Sequence, residues 1–273
     1  MLVTGFAFVA MRDISKRLPY ALKASGFHLI GSVLIASLAT LLVLRLWYPH
    51  PYGELAGGRD LLWILISVDV VCGPMLTLVL FSPLKSKKEL ALDLSVVAVV
   101  QFAALLYGLY SLAEARPVAL VYEVDRFRVI SRADIYEPEL KEAPDWTRPL
   151  SFSAVQLIGI KLSQRNSDLL ESMDMSMAGI ELSQRPSRWQ SYDMGLSKVM
   201  EYAQPMSALF NYQPARASDI SIAIDLTKVP EAELRWLPLV SRHANDWVVL
   251  LDGKNGKPLG FLHVEGFFPV AKK

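Results

Sequence analysis

Apolar residues in the first part of the chain are gathered into three long runs, 27–48, 61–81 and 92–112, and beyond residue 112 no run of that kind recurs. Each run is close to the ~20 residues a helix needs to cross a ~30 Å hydrocarbon core. Lipid offers no partner to backbone N–H and C=O groups, so such runs are expected as helices, which satisfy those groups internally. The pattern predicts a membrane protein with an N-terminal three-helix transmembrane bundle and a C-terminal α+β periplasmic domain. Its expected parts are a cytoplasmic N-terminal segment 1–26, the spans 27–48, 61–81 and 92–112, and the outer domain 113–273.

Within that domain the apolar runs shorten and turn residues separate them. Residues 117–124 and 127–131 read as strands with Asp125-Arg126 at the turn between them. A Pro- and charge-rich loop occupies 138–149, a strand 152–162, and short helices 167–177 and 195–203. A strand is expected at 220–226, and 230–237 opens like a helix with Pro in its first turn. The chain ends in a hairpin, 247–251 and 259–264, around Asn255-Gly256. Strands and helices mix without regular βαβ alternation, which favours α+β. The tetrad Leu-Ser-Gln-Arg occurs at 162–165 and again at 182–185, and a single echo of this length does not define a repeat architecture.

Charge orients the spans. Arg12, Lys16, Arg17 and Lys23 precede the first, and Lys85, Lys87 and Lys88 lie between the second and third. The loop 49–60 carries Arg59 alone beside Glu54 and Asp60. An excess of Lys and Arg marks cytoplasmic segments, so the N-terminus and second loop are expected inside. The first loop and the C-terminal domain are then outside, which is the periplasmic face of a bacterial inner membrane. Trp47, Tyr48 and Trp63 suit the outer interface. The first span is too long for a cleaved signal peptide and reads as an anchor, with Met11 an alternative start to Met1. Cys72 is the one cysteine, so no internal disulfide is expected in the outer domain. The tail holds nearly balanced charge, which excludes a nucleic-acid surface.

Polar residues inside the spans are few. Asp69 falls roughly 12 Å below the outer interface and Gln101 roughly 16 Å, counting ~1.5 Å per residue. Arg45 lies above both, about one turn from the outer end of its span. A carboxylate at that depth must be paired or protonated. Asp69 is therefore expected to bond Gln101 or Arg45, or to meet a polar residue on another membrane helix. Gly73-Pro74 interrupts the second span, either as a kink that fits the bundle or as a notch for a partner helix. Asp93 lies about 15 Å in depth from Asp69, too far for a carboxylate dyad, which needs about 3 Å.

The outer domain offers little chemistry. Met173, Met175 and Met177 suit either copper(I) or, more commonly, core filling. His243 and His263 have no cysteine near them, which argues against zinc. No nucleophile elbow, P-loop or dinucleotide fingerprint occurs, so neither catalysis nor a cofactor or metal is expected.

Three segments together resemble a known family: SVDVVCGPMLTLVLF at 67–81, DLSVVAVVQFAALLYGLY at 93–110, and ARPVALVYEVDRF at 115–127, followed by Ala133-Asp134-Ile135. They are similar to the TfpX/TfpZ family of type IV pilin accessory proteins of Gram-negative bacteria, over about half of the chain. The resemblance implies a non-enzymatic inner-membrane accessory protein that engages a major type IV pilin, through both the pilin's membrane helix and its periplasmic head, and supports pilus assembly. Candidate contact positions are then Asp69, Gly73, Pro74, Gln101 and Arg45 in the bundle, with Arg116, Pro117, Asp125 and Arg126 in the outer domain. Its other surroundings would be the lipid bilayer. Oligomeric state stays open. The competing reading is a membrane-anchored periplasmic sensor that binds a small ligand.

Overall fold

All three apolar runs are helical, and each helix extends beyond its run. In this computed structural model, which describes residues 2–147, 155–162 and 166–267, α1 covers Leu2–Leu42, α2 Tyr52–Leu55, α3 Gly58–Ser67, α4 Gly73–Leu80 and α5 Lys87–Ala115. Wide π-type turns continue α1 at Val43–Trp47 and join α3 to α4 at Val68–Cys72. Three helical stretches are long and apolar enough to cross a membrane: Arg17–Trp47, Gly58–Leu80 and Lys87–Ala115. Phe27, Leu38, Val79 and Val99 stand exposed on them, as side chains that face lipid do.

The chain divides into two compact units. The first joins Met1–Arg45 to Arg59–Ala113. Polar contacts hold α1 against α4. Ser25 donates to the carbonyl of Pro74 at 2.8 Å, and His28 Nδ1 shares a hydrogen with Thr77 Oγ1 at 2.5 Å. The guanidinium of Arg17 donates to the carbonyls of Leu78 at 3.0 Å and Phe81 at 2.6 Å, and also to that of Val79. The last carbonyls of a helix lack intrahelical donors, and a cation there also opposes the helix dipole. A residue counted above as topogenic charge thus caps α4. Gly108 of α5 faces Leu65, where a Cβ would come within 2.4 Å of Cδ1, so the helices approach closely at that point.

The second unit joins Leu46–Gly58 to Glu114–Lys273. Its strands are β1 Pro117–Glu123, β2 Arg126–Ser131, β3 Gln156–Ile160, β4 Trp189–Ser191, β5 Gln204–Pro205, β6 Leu234–Val240, β7 Trp247–Asp252 and β8 Pro258–Leu262. They form one mixed sheet in the order β4-β3-β1-β2-β6-β7-β8, with β5 paired to β6. β1 runs parallel to β3 and β2 parallel to β6, and the other pairs are antiparallel. Every residue of β1 is buried, as a central strand covered on both faces requires. One core layer contains Leu120, Phe127, Leu239 and Trp247, and Tyr52 and Leu55 from the loop between the first two spans belong to it. Tyr52 meets Phe261 edge-on at 5.6 Å between ring centres, and Ser241 donates its hydroxyl to the carbonyl of Leu55. That loop is part of the core of the mixed-sheet unit, not merely a connection between helices.

Besides α2, four helices among the described residues belong to this unit: α6 Asn166–Met177, α7 Leu196–Tyr202, α8 Met206–Tyr212 and α9 Ala217–Thr227. The strand expected at 220–226 is α9. Its buried residues are Ile220, Ala223 and Ile224, a three-and-four spacing that only a helix turns to one side. The helix expected at 230–237 is a single tight turn, Glu231–Glu233, followed by β6. The turn between β1 and β2 is Val124-Asp125, one residue earlier than expected. The loop 138–149 contains the tight turns Glu137–Glu142 and Asp145–Thr147, with 148–149 outside the described residues. The strand read at 152–162 is β3, and 152–154 lie outside the described residues, as does 163–165 of the tetrad echo. The final hairpin is β7 and β8.

Core filling does not describe Met173 and Met177, whereas Met175 is half-buried. Met173 and Met177 are exposed with Leu169 and Leu170. The helix is held by its acidic side instead, Glu171 to Arg185 at 2.5 Å and Asp168 to Arg188 at 3.7 Å, so its apolar side chains face outward.

Candidate functional site

The second span cannot be a regular helix, because Pro74 has no N–H to give. The wide turn Val68–Cys72 precedes it and brings Asp69 into the interior. In the i→i+5 register of such a turn, the carbonyl of Asp69 faces the nitrogen of Pro74 and so lacks a backbone donor. Gln101 of α5 supplies one: its Nε2 donates to that carbonyl at 3.1 Å. The expected Asp69–Gln101 contact therefore exists, but at the backbone and not at the carboxyl. Gly73 makes the approach possible, since a Cβ there would come within 2.0 Å of the Gln101 amide. Gly73 and Pro74 are both buried, Gly73 against Gln101 of α5 and Pro74 with its carbonyl bonded by Ser25 of α1.

Asp69 is 7% exposed, and its enclosed Oδ1 has no hydrogen-bond partner. Arg45 is exposed and forms no bond to it. Asp93 is paired instead with Lys85 at 2.6 Å. Asp69, Gly73, Pro74 and Gln101 thus form one cluster that excludes Arg45. Beside the cluster lies a cavity of about 690 Å³ between α1 and α5, with Asp69 in its lining.

The outer candidates do not converge. Arg116 and Pro117 lie at the start of β1, where Pro117 pairs with Ser131 and the carbonyl of Arg116 accepts from Arg132 N–H at 3.0 Å. Burial pushes the guanidinium of Arg116 below its ordinary pKa. Asp125 and Arg126 lie at the other end of the hairpin, roughly 23 Å away at ~3.3 Å per residue. They pair with each other at 2.7 Å, and Arg126 stands 4.6 Å from the centre of the Phe267 ring. His263 bonds Asp246 at 2.7 Å and stacks on Trp247, while His243 packs against Gly57. Among the described residues no group of three His, Cys, Asp or Glu side chains is placed to hold a metal.

A polar network beside β1 escaped the sequence reading. Glu123 accepts from Ser183 N–H at 3.2 Å, from its hydroxyl at 3.0 Å and from Arg128 at 2.9 Å. Glu139 accepts from Arg185 Nε at 2.7 Å and from the Ser187 hydroxyl. Burial pushes the Glu139 carboxyl up, but these hydrogen bonds and the Arg185 charge outweigh it and hold its pKa below the ordinary glutamate range. A charge inside the apolar run Pro117–Glu123, and an arginine in the second tetrad, were the available signals. The network ties the segment 182–188 to the sheet and serves packing.

These features define a class: a chain with three helices of membrane-spanning length and composition, a polar cluster in the second, and one mixed-sheet unit built partly from the first interspan loop. The family model of fimbrial assembly protein FimB matches residues 16–57, the first span and that loop. The chain is 33% identical over 238 residues to the fimbrial assembly protein of serogroup I from Dichelobacter nodosus, covering 87% of this chain and 93% of the relative. It is 32% identical over the same length to the serogroup E1 protein, and 40% identical over 128 residues to that of serogroups C1 and C2, both from Dichelobacter nodosus. The last match covers 47% of this chain and 98% of the relative. The chain belongs to this family of fimbrial assembly proteins. No solved structure matches it.

Proposed function

We propose that this chain is a non-enzymatic accessory protein of the TfpX/TfpZ kind, which engages a type IV pilin in the bacterial inner membrane and supports its assembly into pili. The observation that carries the reading is similarity, over 87% of the chain, to proteins named for fimbrial assembly. Two structural facts support the arrangement. Residues of Leu46–Gly58 and of Glu114–Lys273 share one core, so they must lie on one side of a membrane, and three crossings require the same. Arg17 caps the end of α4 from which the basic loop with Lys85, Lys87 and Lys88 departs, so both basic segments sit at one end of the bundle. The positive-inside rule makes that end cytoplasmic and the mixed-sheet unit periplasmic. The exposed Leu and Met side chains of α6 add an adaptable apolar surface suited to a protein partner.

The test is a clean deletion with plasmid complementation. Surface pili should fall sharply while transcription of the pilin gene is unchanged. Unaltered piliation, or a transcriptional change that accounts for the loss, overturns the reading, the latter in favour of a sensor. Alkaline phosphatase fused after Lys273 should be active and fused near Lys87 inactive, and the reverse overturns the orientation.

A further inference from the structure

We propose that the groove between α1 and α5 is a seat for one transmembrane helix of a fimbrial subunit, a helix that brings a hydrogen-bond donor to the carboxyl of Asp69. The inference rests on the assembly reading above and assigns it a place in the membrane unit. His28, Gly31, Ser32 and Ile35 form one wall, spaced by three, one and three along α1 and so on one face of it. Ala98, Phe102 and Leu105, spaced by four and three and so also on one helix face, form the facing wall on α5. Asp69 lies in the lining between them.

Size suits a helix segment. The wall on α1 runs from His28 to Ile35, a rise of seven residues and roughly 10 Å at ~1.5 Å per residue, nearly two turns of helix. Small residues suit it too: a Cβ added to Gly31 would meet nothing within 4 Å, and backbones approach closely across Gly, Ala and Ser.

Chemistry selects the occupant. Three of the polar groups of the lining are accounted for or adaptable: Gln101 donates to the Asp69 carbonyl, His28 Nδ1 is engaged with Thr77, and the Ser32 hydroxyl can rotate. Asp69, a residue 7% exposed that lines the groove, has its Oδ1 enclosed without a partner, so a donor arriving from the groove meets the carboxyl through its other oxygen. An acyl chain has no donor to give, and a carboxyl at such depth is costly until one arrives. A helix carrying a hydroxyl, amide or ammonium hydrogen at the matching depth satisfies it, and its apolar remainder fills the walls.

The experiment places a photo-crosslinking amino acid in the full-length protein, in cells that make the fimbrial subunit. Ile35 and Phe102 report on the groove. Ile30 and Val100 are equally exposed, on the opposite faces of the same helices, and serve as controls. Ile35 and Phe102 should capture the subunit, with mass spectrometry placing the linkage in its membrane-spanning segment, and the controls should not. Gly31→Leu has room in the protein's own packing yet blocks the groove, and should abolish the adduct. Asp69→Leu should lower adduct yield about 3- to 20-fold, the range expected for one interhelical hydrogen bond. Asp69→Asn keeps an acceptor oxygen and should retain the adduct.

Capture of lipid alone, of a second copy of this chain, or equal capture at all four positions overturns the proposal, as does full yield with Asp69→Leu at normal protein abundance. The two readings fail separately. Pili lost on deletion with no groove adduct removes the groove and leaves the assembly role. A groove adduct with normal pili after deletion removes the assembly role.

Discussion

Gln101 donates its side-chain amide to the carbonyl of Asp69, the one carbonyl of the wide turn that the nitrogen of Pro74 cannot serve. The bond replaces a missing backbone hydrogen bond where water cannot help, which is the condition under which a proline is tolerated in a spanning helix. Gln101→Leu should therefore destabilise the membrane unit by about 1–2 kcal/mol, read as a lower unfolding temperature in detergent. Pro74→Ala restores a backbone N–H in the same register. In that background the loss from Gln101→Leu should shrink toward zero, and equal losses in both backgrounds would show that Gln101 acts on something other than this carbonyl.

Leu55 is fully buried among Phe127, Leu239 and Trp247 although it lies between two helices long and apolar enough to span a membrane. Leu55→Ala should cost the outer unit about 2–5 kcal/mol, as core truncations of leucine do. Limited proteolysis of the full chain should then cleave within Glu114–Lys273 at protease levels that leave the parent intact. An exposed residue of the same loop, Glu54, can be changed to Gln with no comparable effect.

Glu139 and Arg185 are both buried, and the pair gives a pH signature. The carboxyl titrates below its unfolded value, so its stabilisation is complete above the ordinary glutamate range, about 4.3, and is lost as pH falls through the lowered pKa. Glu139→Gln should remove that part of the acid sensitivity. It should also destabilise the protein near neutral pH by about 3 kcal/mol, because a buried guanidinium loses a partner. Thermal unfolding of wild type and variant between pH 7 and 3 checks both signs. Parallel curves would show that Glu139 does not contribute to the acid limb.

The three apolar runs were legible because lipid imposes a length and a composition that no other environment does, and the terminal hairpin because Asn255-Gly256 fixes a turn between two β-rich segments. The membrane cluster was legible in its members but not in its bonding. Depth counted along helices brought Asp69 and Gln101 near each other, whereas the wide turn that presents a carbonyl and not the carboxyl depends on Pro74 and on packing. Residues 220–226 misled because Ile220, Ile222, Ile224 and Leu226 recur at every second position, the period of a strand, whereas Ile222 and Leu226 are exposed on the helix. Burial of Ile220, Ala223 and Ile224 separates the two periods only against β6 to β8. The role of Leu46–Gly58 was hidden because its core partners lie far away in sequence, and no local pattern reports that.

Val124 holds a left-handed conformation, φ 59°, in the two-residue turn between β1 and β2. A β-branched residue is a poor occupant of that region, and tight hairpin turns favour Asn, Asp or Gly there. Its side chain is 45% exposed, so little packing depends on it. The Tyr122 hydroxyl bonds its carbonyl at 2.6 Å, a contact any residue would keep. Val124→Gly or Val124→Asn should therefore stabilise the outer unit by about 1 kcal/mol, from the ~1–2 kcal/mol that the left-handed conformation costs a residue with a Cβ. For a unit of this size that is a rise of roughly 2–4 °C in the unfolding temperature. A fall in that temperature with Val124→Asn, which itself tolerates the conformation, would mean that the valine side chain contributes contacts that outweigh its backbone cost.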